Sequence, residues 1–140
     1  MNLDTLEPDF RAIVEKVIAE VSAATGLEWR ATSCRHTIKE QNTLYSQGRK
    51  APGAIVTNAK GGQSPHNFGL AVDCCPMKLG KSDFWWNCPE GYWDVYAAIA
   101  KEHGLVPGRF FKSIVDNPHI EAPDWKLNQA AWRRGEIVVA

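Results

Sequence analysis

Between Asp9 and Ala24 the apolar residues Phe10, Ile13, Val14, Val17, Ile18 and Val21 recur at helical spacing, with Glu15, Lys16 and Glu20 among them. That period lines the apolar side chains along one stripe of an amphipathic helix, and Gly26 supplies its stop. The pattern then changes. Leu27 to Cys34 reads as a short strand, and Thr37-Ile38-Lys39-Glu40 fits a capping box, so a second helix is expected from about Ile38 to Gln47, ended by Gly48. From Arg49 to Gln63 there is no sustained period, and Pro52, Gly53, Gly61 and Gly62 mark a surface loop. A loop of that length inside a small domain is more often functional than idle.

Leu70-Ala71-Val72-Asp73-Cys74-Cys75 is an apolar run broken by one carboxylate, which predicts a buried strand that Pro76 ends or places near an edge. Gly80 to Gly91 is turn-rich and carries Trp85 and Trp86. A helix is expected from Tyr92 to His103, with Trp93, Tyr96 and Ala97 toward the core and Gly104 closing it. Pro107-Gly108 marks a turn; Phe110 to Val115 and His119 to Glu121 read as strand segments flanking a bend at Asn117-Pro118; Leu127 to Arg134 reads as a last helix. No internal repeat or composition shift divides the chain, so residues 1–140 are expected to form one domain.

At 140 residues such a domain buries most of a core without disulfides or a structural metal, so a metal here is expected to serve chemistry. Sixteen basic and sixteen acidic residues give no net charge, which argues against nucleic acid and anionic membranes as partners. The acidic N-terminus lacks the features of a secretory signal, and no stretch is long enough to span a membrane. Cys34, Cys74, Cys75 and Cys88 form no CxxC pair and are expected to be reduced, mostly buried thiols.

The candidate chemistry centres on Ser64-Pro65-His66-Asn67-Phe68-Gly69-Leu70-Ala71-Val72-Asp73. An imidazole nitrogen at His66 and a carboxylate at Asp73 suit a borderline divalent ion such as zinc, and Asp116-Asn117-Pro118-His119 is the best source of a third ligand. A set of His66, Asp73 and His119 leaves a fourth position for a water whose pKa zinc lowers toward neutrality, giving a nucleophile for an amide carbonyl. A lone histidine is more often structural than ligating. Asp73 discriminates better, because a carboxylate inside an apolar strand requires a partner. Asp116 either accepts the water's proton or merely starts a turn before Pro118. Arg35 and His36, at a strand end, either bind a substrate carboxylate or oxyanion or are solvated; Ser64 either caps the turn or donates to substrate. His103 sits at a helix C-terminus and reads as structural, and the tryptophans serve the core or line a cleft.

The ordered set Ser64-x-His66-x-x-Gly69-x-Ala71-x-Asp73, followed by Asp116-x-x-His119 and Glu121, closely resembles the zinc peptidases of the D-Ala-D-Ala carboxypeptidase and L-alanyl-D-glutamate endopeptidase family. Glu40-Gln41-Asn42-Thr43-Leu44-Tyr45-Ser46-Gln47-Gly48-Arg49 is similar to that family's endopeptidase branch, which includes many phage endolysins. The resemblance implies an α+β fold of the Hedgehog/DD-peptidase type, a small antiparallel sheet with flanking helices. It further implies zinc on His66, Asp73 and His119, Asp116 as general base, and a peptidoglycan stem peptide as substrate, cut between L-alanine and D-glutamate. The family places an arginine five residues before the glutamine that matches Gln41; here that position is His36, and Arg35 stands one residue earlier.

The resulting expectation is a monomeric zinc endopeptidase of bacterial cell wall, an endolysin made in the host cytoplasm without an export signal and acting on the wall in the periplasm after release. Two alternatives stand beside it. One is a D,D- or L,D-carboxypeptidase on peptidoglycan peptides, and the other is a catalytically weakened wall-binding module.

Overall fold

The structure, a computed structural model, describes residues 2–140. Helix α1 (Pro8–Thr25) buries Phe10, Val14, Val17 and Val21, the stripe that the period predicts. Pro8 stands in the first turn, where its missing N–H leaves no bond unmade, and the Glu7 carboxylate accepts from the backbone N–H groups of Asp9 and Phe10. Strand β1 (Trp29–Ser33) follows, then helix α2 (Ile38–Ser46). Both halves of its capping box form, with Thr37 Oγ1 accepting from the Glu40 N–H and Glu40 Oε1 accepting from the Thr37 N–H, each at 3.0 Å.

The remaining elements are β2 (Ala71–Pro76), α3 (Glu90–Glu102), β3 (Val106–Pro107), β4 (His119–Glu121) and α4 (Trp125–Arg133). The strands form one sheet in the order β1-β2-β4-β3, with every neighbouring pair antiparallel. The expected α+β architecture, a small antiparallel sheet with flanking helices, is the observed one. Val72 and Ile120, opposite one another on β2 and β4, are fully buried in the core that α1 and α3 share with the sheet. Trp29 stacks on Tyr96 at 5.0 Å and meets the edge of Trp93 at 5.6 Å, so three large rings fill this layer. His103, at the end of α3, bonds Glu20 of α1 at 2.8 Å, which fits its structural reading. All four cysteines are buried and unpaired.

Because side chains alternate along a strand, the opposite face of β2 and β4 carries Asp73 and His119, directly across from each other, with Glu121 two residues on. Beside them β1 bulges between Ala31 and Ser33, which sets Ser33 opposite Asp73. A bulge re-aims the chain at a sheet's working face.

One expectation needs correction. The stretch from Phe110 to Val115 is not a strand; Gly108–Phe110 is a 3-10 turn and the residues after it form a loop. The Gly108 carbonyl takes the N–H groups of both Phe111 and Asp116, closing the segment on itself, and Phe110, Ile114 and Val115 stay exposed. The strand falls instead at Val106–Pro107. Pro76 ends β2, as one of the two expectations had it, but β2 is internal to the sheet and not at its edge.

The 49–63 loop is tied down from both sides. Arg49 donates to the carbonyls of Tyr45 and Thr57, Asn42 Oδ1 accepts from the Gly61 N–H, and Gln129 of α4 donates to the Gly62 carbonyl at 2.8 Å. Gly62 has a φ of 84°, and a Cβ there would strike the Trp132 indole. Gly62→Ala is therefore expected to destabilise the protein by roughly 1–3 kcal/mol, through left-handed backbone strain and overpacking. Urea denaturation of the metal-free protein measures this, and an unchanged midpoint would refute it.

Candidate metal centre and active-site cleft

Ser64 opens the 3-10 turn Pro65–Phe68, its Oγ accepting from the His66 N–H at 3.2 Å. The turn delivers His66, buried, over the sheet face that carries Asp73 and His119. One donor atom from each of the three residues lies within 4.8 Å of the others. His66 Nε2 and His119 Nδ1 each stand 3.4 Å from the same oxygen, Asp73 Oδ1. That oxygen is shut off from solvent and has no hydrogen-bond partner.

An orphaned buried carboxylate oxygen facing two imidazole nitrogens fits a cation at their centre, and two nitrogens with one oxygen is a set that zinc accepts with a fourth position open. The outer nitrogens agree. His66 Nδ1 donates to the Cys34 carbonyl at 2.6 Å, and His119 Nε2 donates to Glu121 Oε1 at 2.7 Å. Each bond fixes the tautomer that leaves the inner nitrogen's lone pair for a metal.

The charges follow from this packing. Burial works to raise the Asp73 carboxyl, but the two imidazoles outweigh it and hold the group well below the usual carboxylate range. Burial works to lower His119, but Asp73 and Glu121 outweigh it, and in the metal-free protein it is pushed up to about 9. Asp116 lies at the edge of the cluster, half-exposed, with Oδ2 4.0 Å from His119 Nδ1. Burial, followed by repulsion from Asp73, raises its carboxyl above the ordinary value against the pull of His119 and His66. A carboxylate moved toward neutrality and open to solvent is suited to taking a proton and returning it.

Several residues hold this corner that the sequence did not single out. Arg109 pairs with Asp94 and Glu90 of α3 and donates to Asn117 Oδ1 at 2.8 Å. Buried Tyr96 donates to the Pro118 carbonyl at 2.8 Å, so two bonds clamp the bend between Asp116 and His119. A Cβ at Gly108 would meet the Asp116 carbonyl and the His119 Cβ, so that glycine permits the close approach of the bend. Glu121 appeared in the sequence only as part of a family pattern. Its role was signalled by His-x-Glu spacing, which puts both side chains on one strand face.

A cleft of about 340 Å³ lies over the cluster, lined among others by His36, Gln41, Ser64, Phe111 and Asp116. Arg35 is not brought into it. Its guanidinium donates to the carbonyls of Thr5, at 2.9 Å, and Phe68, tying the N-terminal segment to the metal-ligand turn. None of the tryptophans lines the cleft.

A two-histidine, one-carboxylate cluster at the floor of an open cleft, with Asp116 beside it, fits the mononuclear metal site of a metallohydrolase. A family model described as D-alanyl-D-alanine carboxypeptidase matches residues 57–122, a span that includes His66, Asp73, Asp116 and His119. The peptidoglycan L-alanyl-D-glutamate endopeptidase CwlK of Bacillus subtilis (strain 168) is 36% identical over 122 residues, covering 81% of this chain and 73% of CwlK. Among solved structures, the L-Ala D-Glu endopeptidase ChiX of Serratia marcescens matches with a TM-score of 0.61 at 18% identity, over 97% of this chain and 88% of ChiX. The vancomycin-resistance D,D-pentapeptidase VanY, solved in complex with Zn(II), matches with a TM-score of 0.60 at 14% identity, over 93% of this chain and 79% of VanY. These last two show likeness of fold. The chain belongs to the D-alanyl-D-alanine carboxypeptidase family of metallopeptidases.

Two outcomes are expected from the electrostatics. Metal-free His119 is protonated at pH 7, so zinc binding there releases about one proton, and the release fades as pH approaches about 9. Calorimetry in buffers of different ionisation enthalpy below about pH 7, where the water on zinc stays largely un-ionised, reads this share, and the absence of any release there would contradict it. The sign for stability follows from the raised pKa: the His119 contribution to the metal-free fold is complete below about 6.5 and is lost as pH rises through about 9. Separately, Glu121→Ala is expected to weaken zinc affinity by roughly 10–100-fold, as loss of a histidine's outer partner commonly does. Competition with a chelator measures it, and wild-type affinity would remove Glu121 from this role.

Proposed function

We propose that this protein is a zinc endopeptidase of peptidoglycan that hydrolyses the L-alanyl-D-glutamate bond of the stem peptide. The observation that carries the reading is the buried His66–Asp73–His119 cluster with Asp116 beside it at the floor of an open cleft. The activity in the name of CwlK supports the choice of bond.

Cleft chemistry favours an internal bond over a chain end. Among the described residues, no lysine or arginine lines the cleft itself; Arg35, engaged with Thr5, and Lys39 line an adjoining hollow that shares His36 and Leu44 with it. A carboxypeptidase holds a free terminal carboxylate, for which a cation in the pocket is the natural partner. Here the walls are Val56, Thr57 and Ala59 on one side and Phe111 on the other, with Ile114 close by and exposed. Such walls suit the backbone of a peptide that passes through.

When bound, zinc supplies a Lewis acid that polarises the scissile carbonyl and lowers the pKa of water toward neutrality. His66, Asp73 and His119 would hold the ion, and Glu121 and the Cys34 carbonyl keep the two imidazoles aimed. Asp116 takes the proton of the attacking water and passes it to the departing D-glutamate nitrogen. Ser64 and Gln41 line the cleft where substrate backbone runs. On the likeness of Glu40–Arg49 to the endolysin branch, the proposal extends to a phage lytic enzyme that meets the wall from the periplasmic side.

Mass spectrometry of purified muropeptides treated with zinc-loaded protein tests the reaction. The expected products are muramyl-L-alanine and a peptide with D-glutamate at its new N-terminus; loss of a single terminal D-alanine would instead establish a carboxypeptidase. Asp116→Asn is expected to lower kcat by roughly 10²–10⁴ while zinc content is retained, the usual contribution of a positioned proton acceptor. Activity near wild type in that variant would assign the proton transfer to another group.

A further inference from the structure

His36 has a different surrounding from that of a substrate-binding residue. Its ring lies against the ring of His66 with centroids 4.4 Å apart and planes 13° from parallel, closer than any other aromatic pair among the described residues. Both ring nitrogens already have internal partners. Nδ1 donates to Gln41 Oε1 at 3.3 Å, and Nε2 accepts from the Ser33 hydroxyl at 2.6 Å. The orientation of the Gln41 amide is set in turn, because its Nε2 donates to the Ala59 carbonyl at 2.8 Å. The backbone is tied as well: the His36 N–H donates to the His66 carbonyl at 3.1 Å, and the Asn67 amide donates to the His36 carbonyl at 3.0 Å.

One edge of the His66 ring is fixed by the Cys34 carbonyl, which holds Nδ1. A single hydrogen bond to one ring atom leaves the plane free to swing about that bond, and a swing carries Nε2 away from Asp73 and His119. A flat ring pinned at both nitrogens and laid against the other face opposes that motion. Ser33 reaches His36 from the strand segment that the β1 bulge sets opposite Asp73, so the pin originates in the same sheet that carries two of the ligands.

We propose that His36 is a positioning residue of the metal centre: its stacked ring fixes the plane of His66, and Gln41 links this support to the cleft wall at Ala59. The proposal rests on the metal site described above and is independent of which peptide bond is cut. It assigns to His36 a role other than direct contact with substrate.

The test compares His36→Phe, which keeps a flat ring and loses both nitrogens, with His36→Leu, which fills the space without a flat face. Zinc dissociation constants come from competition with a chromophoric chelator, and metal-free melting temperatures verify that each variant folds. Both variants lose the two pins and only His36→Leu also loses the flat face, so His36→Leu is expected to bind zinc about 10-fold or more weakly, within the range for outer-shell changes, and His36→Phe to fall between it and the unaltered protein. Unchanged affinity in His36→Leu would overturn the proposal, as would equal weakening in both variants. A rise in KM in both, with zinc affinity unchanged, would place His36 on the substrate and also overturn it. If the unaltered zinc-loaded protein cuts no muropeptide, the substrate reading fails while the zinc measurements still decide this one.

Discussion

Asp73 places a carboxylate on an internal strand, with one oxygen buried and unpartnered between two imidazole nitrogens. Leaving such an oxygen without a counter-charge costs several kcal/mol in a protein interior, and the two imidazoles beside it, His119 first, offset that cost. The architecture around it serves to keep this arrangement from relaxing. Opposite Asp73, the β2–β4 pairing fixes His119, while the Pro65–Phe68 turn swings His66 over the top. His66, Asp73 and His119 would hold a zinc ion at this point, and its charge would complete an electrostatic arrangement that the fold has already set.

Rigidity is distributed unevenly about this centre. On its core side, Tyr96 holds the Pro118 carbonyl, Arg109 holds Asn117, and Gly108 lets the bend approach the turn before it. These contacts come from α3 and its surroundings, which also share the main core with α1. The cleft walls are built differently. The 49–63 loop is secured by side-chain bonds from Arg49, Asn42, Gln41 and Gln129, and the loop after Phe110 exposes Ile114 and Val115. A stiff floor with walls held by a few polar ties preserves metal geometry while the walls meet a peptide.

The charge pattern of the cleft divides the labour similarly. Acidic and imidazole groups gather at the floor, where His66, Asp73 and His119 fit a metal and Asp116 stands beside them. No lysine or arginine among the described residues lines the walls, which carry apolar and neutral polar side chains such as Leu44, Val56, Thr57 and Phe111. Arg35 illustrates how a chain with the expected residue nearby spends it otherwise, joining Thr5 to the Phe68 carbonyl beneath the ligand turn.

Much of this was legible in the sequence, because its signals were local. The helical stripe of α1, the capping box of Thr37 and Glu40, the apolar run around Asp73, and the ligand types at His66 and His119 all follow from side-chain period, hydrogen-bonding capacity and donor chemistry over a few residues. The exposed loop after Phe110 has the sequence of a strand, since an apolar run looks the same whether it pairs or borders a cleft, and only the Gly108 carbonyl's two bonds decide it. Which of Arg35 and His36 reaches the cleft, that Glu121 aims His119, and that Arg109 and Tyr96 clamp the metal-side bend were decided by tertiary structure alone. Those contacts join residues far apart in the chain or on facing strands, and their geometry depends on strand register and a bulge that no local pattern encodes.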